Sequence, residues 1–74
     1  MTLDRDPAEL VAEAVVAVRG ALPPVGVTVP VEEVFRRAEL PEGRAWGALA
    51  MLCCEGVARV RSGRDGRCVV WRVG

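Results

Sequence analysis

From Pro30 to Val73 the chain reads PVEEVFRRAELPEGRAWGALAMLCCEGVARVRSGRDGRCVVWRV, and the punctuation of this stretch constrains the fold more than any other feature. Val31, Val34, Phe35 and Ala38 recur at helical spacing while Glu32, Glu33, Arg36 and Arg37 take the other side, which predicts an amphipathic helix over about 31–38. Glu32 with Arg36, and Glu33 with Arg37, are four-apart pairs worth roughly a few tenths of a kcal/mol each. Leu40 and Pro41 interrupt that helix, and a second one is expected over about 42–55, stopped by Gly56. Gly43 and Gly47 each weaken it by about 1 kcal/mol relative to Ala, so packing has to hold it. From Val57 the pattern turns to alternation, and a turn over Ser62 to Arg67 separates two short runs. Asp65-Gly66 is a hairpin signal, so a two-stranded ribbon is expected over about 57–73.

The preceding third of the chain adds one helix and one short strand. Asp6 as N-cap, Pro7 at the first helical position and Glu9 placed to bond back to the cap start a helix. Leu10, Val11, Ala14, Val15 and Val18 continue it over about 7–21, with Glu13 on its solvent side, until Gly20, Pro23 and Pro24 end it. Val25 to Val29 is β-branched and bounded by prolines, which predicts a brief strand over about 26–29 able to pair with the ribbon. The expectation is one α+β domain over 1–74, without repeat or linker.

Composition narrows the chemistry. The chain has no His, Lys, Tyr, Asn or Gln, so most groups that exchange protons near neutral pH are missing and an enzyme is not expected. No catalytic residue and no cofactor is assigned. Cys53, Cys54 and Cys68 lack metal-ligand spacing and are odd in number, which reads as inert thiols with no metal site and a reducing compartment. No run of 18 apolar residues exists, and the acidic Asp4, Asp6 and Glu9 oppose a signal peptide, so a cytoplasmic protein with no membrane partner is expected. Net charge is zero but uneven: residues 1–42 hold eight acids against four arginines, and residues 43–74 hold six arginines against two acids. That asymmetry permits a local basic patch.

Within this frame LPEGRAWGALAMLCCEGV, residues 40–57, resembles the turn and recognition helix of bacterial or archaeal winged-helix transcription regulators. Leu49, Leu52, Glu55, Gly56 and Val57 match that family's ending, Ala45 its small buried residue, and Leu40 its apolar anchor. The resemblance implies a small winged helix-turn-helix, with three helices, a short strand and a two-stranded wing, and a double-stranded DNA partner in transcription regulation. There are departures from the family pattern. Pro41 stands where a Ser or Thr cap is usual, and the positions that face DNA hold Glu42, Gly43, Arg44, Trp46, Gly47 and Ala50, of which only Arg44 can contact a base edge polarly.

The DNA contacts are therefore expected from Arg44 and from Arg59, Arg61, Arg64 and Arg67 of the wing, through phosphates or the minor groove. Alternating arginines are also what the solvated face of any ribbon looks like. If Ala45, Leu49, Leu52 and Cys53 point inward, then Trp46, Gly47, Ala50, Met51 and Cys54 lie outward on an apolar surface, and a homodimer or protein partner is the natural cover. A rotated helix would instead place Trp46 in the monomer core. Trp71 is expected in the core, packed over the first helix. Two functions follow: a DNA-binding protein in transcription regulation, or an interaction module that binds protein through the apolar third helix and never reads DNA.

Overall fold

The structure, a computed structural model, describes residues 6–74; Asp4, which entered the argument about the N-terminal charge, lies outside them. Helix α1 (Pro7–Ala21) starts as expected, with Asp6 Oδ1 accepting the Ala8 N–H at 3.1 Å. The reciprocal bond from Glu9 to the cap is not made, and the Glu9 amide instead donates to the Asp6 carbonyl at 2.9 Å. Leu22 takes an extended conformation ahead of Pro23 and Pro24, which ends the helix.

The next strand differs from its expected bounds. Val27 N–H donates to Pro24 C=O at 3.1 Å with Gly26 at φ +90°, so residues 24–27 are spent on a turn that needs a left-handed residue. Strand β1 (Thr28–Pro30) begins only after it, not near residue 26. Pro30 hands over directly to α2 (Val31–Ala38), whose Val31, Val34 and Phe35 are buried. Of its two expected ion pairs only Arg37–Glu33 forms, at 3.1 Å. Glu39 closes the helix in the left-handed region, at φ 55° and ψ 42°.

Helix α3 (Glu42–Cys54) has no side-chain cap at Pro41, and it stops one residue earlier than the expected position 55. The stop is a Schellman motif: Val57 N–H donates to Leu52 C=O at 2.9 Å and Gly56 N–H to Cys53 C=O at 3.1 Å, with Gly56 at φ +79°. Strands β2 (Ala58–Ser62) and β3 (Cys68–Arg72) then form a hairpin. Its turn runs Gly63-Arg64-Asp65-Gly66, closed by Gly66 N–H to Gly63 C=O at 3.1 Å, with Gly66 left-handed at φ +81°. Asp65 Oδ1 accepts the Arg67 N–H at 3.1 Å.

The sheet is antiparallel with order β1-β3-β2. Three helices and this three-stranded sheet make an α+β fold, compatible with a winged-helix-like arrangement. Its core is aliphatic: Val18, Val34, Leu49, Leu52 and Val70 are fully buried, joined by Ala14, Ala45, Ala48 and Ala58. Alanines at the helix crossings let α1 approach α3 closely, and those two helices share the most extensive packing. No helix among the described residues is long and apolar enough to cross a membrane.

Candidate nucleic-acid interface

Register divides the side chains of the sheet. Val29, Val70 and Val60 form one cross-strand row, and Val70 is completely buried in it, so this row faces the helices. Because strand side chains alternate, the neighbouring rows, Thr28-Trp71-Arg59 and Pro30-Val69-Arg61, face the opposite way. Arg59 and Arg61 thus share the outer face with Trp71. This corrects the expectation that Trp71 packs over α1, since Val70 holds the inward position and a period of two forces its neighbour out.

Trp71 stays half-buried and lines a shallow hollow of about 460 Å³ with Gly26, Thr28, Arg61, Gly63 and Val69. Sequence reasoning missed it because Trp is usually placed inside. The register was the available signal: once the turn is centred on Arg64 and Asp65, Ser62 pairs with Cys68 and Arg59 falls opposite Trp71.

Arg59, Arg61, Arg64 and Arg67 are all exposed. Arg67 Nε lies 3.8 Å from Asp65 Oδ2, a surface pair of long geometry that contributes little. Among the described residues, Arg59, Arg61 and Arg64 have no acidic partner within ion-pair distance. Arg59, Arg61 and Arg64 of the hairpin are therefore uncompensated guanidinium groups, each able to form charge-assisted, bidentate bonds to an anionic oxygen.

The other expected contacts are spread more widely. Arg44 borders a largely apolar groove of about 430 Å³ between α1 and α3, beside Leu10, Val11, Gly47 and Met51. Arg67 borders a different hollow, of about 570 Å³, in company with Arg36, Glu32 and Glu42. The five arginines singled out from sequence are thus spread out: Arg59 and Arg61 share the sheet face by register, Arg44 and Arg67 border separate hollows, and Arg64 sits at the hairpin turn. Compared with known protein families, curated proteins and solved structures, the chain matches none.

Helix α3 buries Ala45, Ala48, Leu49 and Leu52. At 100° per residue, Gly43, Gly47, Ala50 and Cys54 fall on the opposite side, and all four are exposed. None can hydrogen-bond a base edge through its side chain with useful specificity. Met51, 44% exposed, flanks this stripe on the α1 side. Trp46 is intermediate between the two readings of it: 36% exposed, yet edge-on to Phe35 of α2 with ring centroids 5.1 Å apart at 81°. Such a pair adds about 0.5–1.5 kcal/mol beyond burial.

The three thiols are free. Burial pushes the Cys53 thiol above its usual range, the neighbouring Cys54 adds to the rise, and Arg59 opposes it. Cys54 is exposed, and half-buried Cys68 lies 3.8 Å from Ser62 Oγ.

Proposed function

We propose that this chain is a small winged-helix protein that holds double-stranded DNA by its phosphates, acting in transcription regulation or another DNA transaction. The observation that carries the reading is that Arg59, Arg61 and Arg64 of the hairpin are exposed and, among the described residues, have no acid within ion-pair distance. Its turn is stiffened by Asp65 and Gly66, so the wing would present Arg64 at a defined place. The apolar, glycine-bearing outer side of α3 argues for weak base discrimination, with Arg44 the sole polar side chain of that helix suited to reach a groove. Binding is then governed by counterion release, and log K falls with log salt at about 0.9 per phosphate neutralised. Replacing Arg61 and Arg64 together by Ala should weaken binding to every duplex and lower that slope by about two. A titration of random duplex at low and moderate salt reads both quantities. Unchanged affinity in the double variant refutes the assignment.

A second reading is favoured by one specific observation, the apolar groove between α1 and α3 where Leu10, Val11 and Met51 meet solvent. It makes the chain a protein-binding module, with a second copy as partner in the simplest case. Sedimentation tests it. Met51→Glu should turn a dimer into a folded monomer, and a wild type that stays monomeric at high concentration excludes self-association.

A further inference from the structure

We infer that the outer face of the sheet binds single-stranded DNA, with an unpaired base stacked on the Trp71 indole and the flanking phosphates held by Arg59 and Arg61. The inference rests on the reading of the hairpin arginines as phosphate contacts, and extends it to a different form of the polymer. Four observations converge. Trp71 makes no ring contact with another side chain among the described residues, so no aromatic or guanidinium group occupies its face. It borders a hollow of about 460 Å³, open at Gly26, where nothing stands within 4 Å of the position a Cβ would take. Arg59 sits directly across from it in register and Arg61 lines the same hollow. Among the described residues that line it, apart from Trp71 itself, Thr28 supplies the one uncharged polar side chain.

The chemistry follows from that inventory. An indole flanked by unpaired cations matches a polyanion whose bases offer π faces, and such stacking tolerates any base because it needs no hydrogen-bond code. A base inside a duplex is already stacked on both faces and offers none to the indole, so the site selects unpaired nucleotides. Thr28 alone offers little with which to read a ribose 2′-hydroxyl, and continuity with the proposed duplex contacts of the same hairpin favours DNA over RNA. The joint arrangement suits a duplex end, fork or melted tract, with paired DNA on the wing tip and an unpaired strand crossing the sheet.

The experiment uses the whole chain carrying Trp46→Phe, which leaves Trp71 the only indole and retains a ring beside Phe35. Titration with a short oligothymidylate should quench Trp71 fluorescence. Binding should be tighter than that of an abasic oligomer of equal length by roughly 5- to 150-fold, the range for one stacked base. Trp71→Ala should remove that difference while leaving random-duplex affinity unchanged, and Trp71→Phe should restore most of it. Should Trp71→Ala fail to fold, as judged by circular dichroism, the comparison of thymidylate with abasic strand in the parent decides alone. Equal binding of the two strands reduces the site to phosphate attraction and overturns the proposal, as does absence of quenching. Tighter binding of oligouridylate overturns the commitment to DNA. Equal quenching by polyglutamate points to an acidic protein segment instead, and likewise overturns it. If the duplex binds with its full salt slope while thymidylate leaves Trp71 unaffected, this inference falls and the phosphate reading stands. If neither binds, both fall.

Discussion

Glu39 offers a sharp test of the local physics that connects α2 to α3. It closes α2 at φ 55° and ψ 42°, the only residue other than glycine with positive φ among those described. A side chain there brings Cβ against the following carbonyl, at a cost of about 1–2 kcal/mol. Its carboxylate also stands at the negative end of the helix dipole, where an exposed acid costs about 0.3–1 kcal/mol at low salt. Glu39→Ala removes the charge but keeps Cβ, whereas Glu39→Gly removes both. Glycine gives back about 0.4–1 kcal/mol through greater freedom of the unfolded chain. The difference between the two variants should therefore favour glycine by about 0.5–1 kcal/mol, or roughly 2 to 8 °C in a domain of this size. Thermal and urea unfolding followed by circular dichroism measure it, and because neither variant carries the charge it should not change with salt. A glycine variant no more stable than the alanine variant would refute the strain argument.

Two further outcomes are expected. Leu52 is completely buried, so Leu52→Ala should lose about 2–5 kcal/mol in urea unfolding, a large share of what a small domain possesses; a loss below about 1 kcal/mol would mean that the aliphatic centre is not packed as described. Since burial raises the Cys53 thiol, folding favours its neutral form, and whatever stability this brings is present below the ordinary thiol range and declines as pH rises through the raised value. Its alkylation should accordingly lag behind that of exposed Cys54 at neutral pH and catch up only in more alkaline solution; equal rates across the profile, read by mass spectrometry on single-cysteine variants, would contradict the described burial.

The helices were legible because their limits are written in residues with strong backbone preferences. Asp6 with Pro7 and then Pro23 with Pro24 bracket α1 at its observed ends, and Gly56 ends α3 through the left-handed position that only glycine takes without strain. The inward set Ala45, Leu49 and Leu52 also followed from spacing alone. What was not legible depended on pairing across distance. An apolar indole suggests the core, but the face Trp71 takes is decided by which residue of β3 meets Val29 and Val60, and hydrophobicity carries no phase. Gly26 shortened β1 because a turn claimed it, a competition that β-branched composition does not reveal. The arginines were recognised as a group from their density. Their division among separate surfaces required the packing of α1 against α3 and of the hairpin tip near α2. The same density could not separate a solvated ribbon from a binding one, since both use the same residues at the same spacing.

The strand order has a consequence for how the molecule assembles. β1 and β2 touch only through β3, so Val29 waits for a partner 41 positions later in the chain, Val70. Closing so long a loop is entropically unfavourable and returns only a three-residue pairing. The β2–β3 ribbon, by contrast, draws on neighbours close in sequence, and the α1–α3 crossing, though also distant in sequence, returns the most extensive packing in the fold. Folding should then be ordered, with the α1–α3 crossing and the β2–β3 ribbon present at the rate-limiting barrier and β1 docking afterwards. Side-chain truncation at Val29 would speed unfolding and leave the refolding rate almost untouched, while truncation at Leu49 would slow refolding. An early-docking β1 would show the reverse at Val29, and the short segment after α1 would then be the nucleus of the sheet rather than its last addition.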